Sequence, residues 1–452
     1  MAVLIWIWHG GESTSPTSRH EHAAHVAFEV SCGWTFRWAL NEQEWLDGPG
    51  VDVSQTQVFR LQYGGEEQHP AADEFWSASG LLERQDLKWG REVESELLSF
   101  AFFMTSRLEE MEAPDRHRDE HGRFLGGTSL AAMRGWLDRP EVDRRMQLWA
   151  QKMQLPLGAA RLTSEVIPTI DVDSAYAFRS KGWFRTAGAA LKDVLANRPA
   201  WLRLRVAISG QADPYDTYDN IESLHAAFSL KTRYFFLLAS RSQHDRGLSW
   251  RSRGLRKLIQ HLSQTAEIGI HPGYQAHAKG VKWIQQERDR LLRILPEVDP
   301  AECHSRQHYL LQQPPKSWRD LVAAGIAHDH SMAYADVAGF RAGVARPFRA
   351  FDLISNEQMP LWLHPVAAMD ATLLRYEKCT HQEAIERVTE LAQAAAQVGG
   401  ALELIWHNES VSDYGEWSQS GTFAFYTACL SAALKAVKRH PSSTILDVSS
   451  AT

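Results

Sequence analysis

The sequence predicts an α/β protein, a barrel of parallel strands wrapped by helices and preceded by a smaller α/β domain. Two observations carry this. Beyond residue 158, apolar runs of strand length alternate repeatedly with amphipathic helical segments, and runs such as Tyr234 to Leu238 are near-continuously apolar, as strands covered on both faces must be. Ahead of Leu155-Pro156-Leu157-Gly158 the rhythm differs, with short strands separated by polar, Gly- and Pro-containing connections. Two domains are therefore expected, residues 1–157 and 158–452.

In the first, Val3 to Trp8, Ala27 to Val30 and Val58 to Leu61 read as strands. From Glu92 to about Met111 the apolar positions Val93, Leu97, Leu98, Ala101, Phe102, Met104 and Leu108 trace a helical face. A polar turn at Asp119 to Phe124 and a helical segment near Leu130 to Leu137 follow. Arg107, Glu109, Glu110, Asp119, His121 and Arg123 form a charged group that reads as a solvated face or an ion network between domains.

In the second, strands are expected at Thr163–Ile170, Thr232–Ala239, Glu267–Ile270 and Leu402–Trp406, and helices at Asn220–Leu230, Gly254–Thr265 and Val281–Leu295, the last stopped by Pro296. Thr380-His381-Gln382-Glu383 is a capping-box sequence opening a helix that Gly399-Gly400 ends.

Composition excludes some functions. A net charge of -7 with no basic patch argues against nucleic-acid or anionic-membrane partners. No apolar run has the length to span a bilayer. The 4 cysteines are scattered, without zinc-knuckle or disulfide-framework spacing, and the apolar start lacks a basic leader and a cleavage site. A cytoplasmic protein with free thiols is expected.

The chemistry-bearing residues fall at strand ends. Asp171 and Asp173 follow the run Val166 to Ile170, His271 follows Ile270, and Arg306 and His308 follow Ala301 to Ser305. Asp329 follows Gly325 to His328, and His407 follows Trp406. In a parallel barrel these ends gather at one mouth, where catalysis takes place. His364 and Asp370, near the strand end after Trp362, could line a substrate groove, and Arg341 could bind an acidic sugar or pair with a carboxylate.

The order of these motifs resembles the polysaccharide deacetylase superfamily, the NodB-homology metal-dependent carbohydrate esterases, over roughly Glu165 to Asp413. Thr169-Ile170-Asp171-Val172-Asp173 looks like that family's opening motif with one spacer residue, and Ile270-His271-Pro272-Gly273-Tyr274 is similar to its metal-histidine motif. Arg306-Gln307-His308-Tyr309 stands where the family has Arg-x-Pro-Tyr. His328-Asp329-His330-Ser331 resembles its wall motif, and Ile405-Trp406-His407-Asn408 its terminal motif. A bacterial subgroup with an extra amino-terminal domain is closer still, through Phe103 to Glu110, His121 to Phe124 and Gly339 to Gly343.

The resemblance implies a distorted (β/α) barrel and an N-deacetylase of an N-acetylated saccharide. Asp171 is then the base, oriented by Arg306, and His407 the acid. Asp173 and His271 are metal ligands, the Tyr309 backbone serves the oxyanion, and Asp329 belongs to the catalytic wall. Tyr274, Arg341, Trp362, His364, Asp370, Trp406 and Asn408 are expected around the substrate. The cofactor would be a divalent metal, zinc foremost, with cobalt, nickel or manganese as alternatives. One departure matters: the family's second histidine is Gln275 here. A zinc site takes about three protein ligands and an open position, so His308 is expected as the third ligand, with His277 as its rival. Two other functions fit the same sequence: hydrolysis of another C–N bond, or carbohydrate binding without catalysis.

Overall fold

The computed structural model describes residues 2–9, 18–39, 44, 56–63, 93–111, 113–152, 154–158, 163–179, 206, 212–417 and 421–439. Strands β1 (Ala2–His9), β2 (Thr35–Ala39) and β3 (Thr56–Tyr63) make a parallel sheet in the order β2-β1-β3. The segment Ala27 to Val30 is helical, correcting the strand expected there: the helix Ser18–Ala24 continues into a wider turn over His25–Val30. Val26, Ala27, Phe28 and Val30 are all buried, so the short apolar run has no exposed face to reveal its period.

The long helix runs from Val93 to Ser106 and breaks at Arg107, whose φ is 55°, before a short turn at Leu108–Met111. Only Leu130–Met133 of the next expected helix forms, and Glu141–Lys152 is an additional helix. Phe102 on the long helix meets Phe351 with ring centroids 5.0 Å apart, and Trp34 donates to the Pro156 carbonyl. A single apolar core links these residues with those of the larger sheet.

That sheet contains β4 (Glu165–Val172), β5 (Arg233–Phe236), β6 (Glu267–Ile270), β7 (His304–Ser305), β8 (His328–Met332), β9 (Phe348–Asp352), β10 (Glu357–Pro365), β11 (Ala368–Met369) and β12 (Ala401–His407). The order is β11-β12-β4-β5-β6-β7-β8-β10-β9, and every pair is parallel except β9 with β10. The sheet is strongly curled. Five strand spacings separate β12 from β8, about 24 Å if the sheet were flat, yet Glu403 Oε1 and His330 Nδ1 lie 2.8 Å apart across its concave face.

The curl is completed between β10 and β11, which only Val366 and Ala367 separate. Val366 N–H donates to Met332 of β8, and Ala367 N–H donates to Glu403 of β12. One passage of chain thus touches both sides of the curl. Outside it lie the expected helices, including Tyr218–Ala227, Arg253–Leu262, Val281–Ile294 and His381–Gln397, the last with the Thr380/Glu383 capping box in place. No helix among the described residues is long and apolar enough to cross a membrane.

Candidate functional site

Strand alternation sends Thr169 and Asp171 of β4, and Glu403 and His407 of β12, to the concave side. Arg306, just past β7, is fully buried and joins them. Its guanidinium donates to Asp171 Oδ1 (2.9 Å), Thr169 Oγ1 (2.6 Å), Glu403 Oε1 (2.8 Å) and the His330 carbonyl (2.8 Å), and lies 4.4 Å from the Phe235 ring centroid. Asp171 is thereby fixed in orientation and held against a full positive charge.

Asp173, His271 and His308 come together at the strand ends, with one donor atom of each within 4.8 Å of the others. His271 Nε2 is 3.3 Å from Asp173 Oδ1, and His308 Nε2 is 3.4 Å from Asp173 Oδ2. The far nitrogens explain why both Nε2 atoms are available. His271 Nδ1 lies 2.6 Å from the Arg306 carbonyl, which can only accept, so this nitrogen carries the proton. His308 Nδ1 lies 3.0 Å from Asp245 Oδ1, to which it donates in the same way. The Nε2 atom of each imidazole faces Asp173 and would present its lone pair once a metal ion took the place of its proton; the buried Asp173 Oδ1 makes no hydrogen bond among the described residues, with His271 Nε2 next to it at 3.3 Å. One carboxylate and two histidines, each oriented through its outer nitrogen, fit a divalent transition metal with a position open to the cleft.

Electrostatics agree with that fit. Burial would raise the Asp173 carboxyl, but His308 and His271 hold it well below the carboxylate range. Burial disfavours the His308 imidazolium, but Asp173 and Asp245 together raise it to about 9. A positive charge is wanted at this point, and a dication would take the place of that proton.

His407, at the end of β12, is anchored by Asp370, which accepts from the His407 backbone N–H at 2.9 Å and pairs with Nδ1 at 2.8 Å. Burial works against the imidazolium, yet Asp370, with Asp173 and Asp171 beyond it, raises it to about 10. His407 is therefore the proton-bearing partner opposite Asp171.

These groups open on a cleft of 890 Å³ whose walls include Tyr309, Arg123, Arg375, Tyr376, Tyr414 and Trp417. Tyr309 adopts φ 63°, and its carbonyl accepts from Arg123 at 2.9 Å. The segment after β6 bends close against Asp245 because position 273 is glycine; a Cβ there would come within 2.5 Å of Ala239 Cβ and 2.9 Å of Asp245 Oδ1.

Several expected substrate residues lie elsewhere. Asp370 is fully buried and holds His407 instead of meeting a ligand. Arg341 is buried on Glu110, with bonds of 2.9 and 2.5 Å, and on the Ala333 carbonyl. Trp406 points outward from β12 onto Phe425 and Tyr426. Trp362 stacks under Arg349, 4.0 Å from its guanidinium. His364 sits among other histidines inside the curl. The side chain of Asn408 ties the Ser174 and Tyr215 carbonyls together. Tyr274 lies beside the cleft, stacked on His244 and 3.2 Å from His121. Asp329, expected in the catalytic wall, is buried against Ser305, Ser331 and Gln312, and none of these seven side chains nor its own lines the cleft. His277 stands apart from the Asp173 group, on the helix Tyr274–Lys279, with its carbonyl accepting from Lys316.

Sequence reasoning did not find Asp245, Glu403, Arg375 or Trp417. Asp245 lies in an irregular loop with no spacing signature. Arg123 was read only as part of an ion network; it does pair with Asp119 at 2.6 Å, but it also reaches the cleft.

The class that fold and site define is an α/β protein with a carboxylate–histidine group at the C-terminal ends of parallel strands. Residues 13–156 match a family of unknown function, DUF7033. No curated protein matches the chain. Among solved structures, the chain is similar to a "putative polysaccharide deacetylase from Mycobacterium smegmatis", at 15% identity and a TM-score of 0.38, over 60% of this chain and 84% of that one.

Proposed function

We propose that the chain is a metal-dependent hydrolase that removes the acetyl group from an N-acetylated sugar, in a polysaccharide or its precursor. The observation that carries this reading is the convergence of the two Nε2 atoms and the Asp173 carboxylate beside a base and an acid of opposite charge.

Asp173, His271 and His308 would hold the metal, zinc foremost. A dication bound there would lower the pKa of the attacking water and polarise the acetyl carbonyl. Asp171, oriented by Arg306, accepts the proton of the attacking water. The Tyr309 backbone N–H would donate to the carbonyl oxygen as negative charge develops on it. His407 donates its proton to the sugar nitrogen as the C–N bond breaks, yielding acetate and a free amine. Aromatic side chains along the cleft, Tyr309, Tyr376 and Trp417, offer faces for sugar rings.

The test is acetate release from N-acetylglucosamine oligomers by zinc-loaded protein, beside non-sugar amides. Release from the oligomers that disappears in Asp171→Asn supports the reading. Release only from the other amides would move the assignment to a different C–N bond. Sugar binding without turnover or metal uptake would make the chain a carbohydrate-binding protein.

A further inference from the structure

A second group of nitrogen donors lies deeper in the curl, toward the strand starts. His304 opens β7, His330 lies in β8 and His364 in β10, three strands adjacent in the sheet. One donor atom from each is within 4.8 Å of the other two, and His304 Nδ1 is 2.9 Å from His330 Nε2. A tetrahedral zinc ion with nitrogens at about 2.0–2.1 Å spaces its ligands about 3.3 Å apart. Shifts of about an ångström therefore separate this arrangement from coordination.

The surroundings are those of a ligand set. His330 Nδ1 sits 2.8 Å from Glu403 Oε1, which directs its proton there and leaves Nε2 facing His304. His364 Nε2 meets His328 Nδ1 at 3.0 Å, and His328 Nε2 meets the exposed Glu302 at 3.2 Å, so the group connects to solvent through the strand-start end. Burial, reinforced by Arg233, lowers His304 to about 3 and His330 far below the usual histidine range, and burial does the same to His364. Arg233 is the nearby cation, 3.5 Å from His330 Nδ1, and its charge is offset by Glu267 and Glu403.

We propose that His304, His330 and His364 form a second site for a nitrogen-preferring divalent metal such as zinc, cobalt or nickel, distinct from the group at Asp173, His271 and His308. The His364 ring, now stacked on His330 with centroids 3.9 Å apart, turns about its side-chain bond to bring a nitrogen to the ion. A three-histidine site with a fourth position open is also a competent Lewis-acid centre.

Elemental analysis after dialysis of the full chain against zinc alone tests this. The wild type is compared with His304→Gln/His364→Gln, with Asp173→Ala/His308→Ala, and with all four changes together. The histidine pair should remove about one zinc per chain in both backgrounds. Cobalt added to Asp173→Ala/His308→Ala should give visible absorption bands, which the four-fold variant lacks. Unchanged zinc content on substituting the pair, or a cobalt-treated Asp173→Ala/His308→Ala protein without bands, would overturn the proposal. The cobalt arm keeps the test decisive if the histidine pair is needed for folding. Failure of the cleft reading alone looks different: zinc is then lost with the histidine pair but not with Asp173 and His308.

Discussion

Two buried charge clusters in this molecule are built from similar residues and end differently. Where the helix Val93–Ser106 and the turn after it meet the segment between β8 and β9, Arg107 and Arg341 enclose Glu110. Arg107 also bonds Glu109, the Met104 and Arg341 carbonyls and the Tyr334 hydroxyl, and none of these side chains lines the cleft at the strand ends. At the strand ends, Arg306 encloses Asp171 in the same way, but beside it two histidines turn Nε2 toward Asp173, whose Oδ1 makes no hydrogen bond among the described residues. Burial and charge are common to both. The difference is that the first cluster satisfies its own donors and acceptors, while the second leaves a buried carboxylate oxygen without a hydrogen bond among the described residues.

Breaking each cluster should separate stability from chemistry. The largest effect is expected from Asp171→Asn, which should lower kcat for acetate release by about 10²–10⁴-fold with metal content unchanged. Loss of activity together with loss of metal would make Asp171 a ligand instead. Next, Glu110→Ala strands two buried arginines and should cost about 3–5 kcal/mol of stability in denaturant unfolding, while folded protein keeps its kcat.

Burial opposes the Glu110 charge, but Arg341 and Arg107 pull its pKa down from 4.5 to about 2. The ionised group therefore contributes stability above pH 4.5 that is lost as pH falls toward about 2. Glu110→Gln should flatten that part of the stability profile, and an unaltered profile would show that other carboxylates govern acid unfolding.

A smaller effect is expected at Asp245, which touches His308 and not the metal position. Asp245→Asn should weaken zinc affinity about 10–100-fold, measured by competition with a chelator. Unchanged affinity would sink the orienting role. The smallest effect at neutral pH is expected from Asp370→Asn. Removing that charge lets the His407 pKa fall from about 10. Because the acid form is lost as pH rises through its pKa, the alkaline limb of the rate profile should move to lower pH. A limb that stays in place would remove His407 from the acid role.

How much of this could be read from the residues follows from period and register. Parallel strands end where their apolar runs end, so Asp171, Asp173, His271, Arg306, His308 and His407 could be placed at one end of the sheet. Trp406 and His407 are neighbours in sequence, yet the two-residue period sends one out to the helix Phe423–Arg439 and the other into the curl. Trp362 and His364 share a strand with a shift of register after Leu363, and neither reaches the cleft. Sequence alone carried no sign of that shift.

The sequence by itself determined the alternation of strand and helix, the parallel sheet and the residues at its C-terminal edge, because these depend on local periodicity. Tertiary structure alone decided that Asp245 orients His308, that Asp370 holds His407 and that Arg341 belongs to Glu110. It also decided that the histidines of three strands meet beneath the cleft. Such pairings join residues 26 to 231 positions apart, and only the curl of the sheet brings them within hydrogen-bond distance.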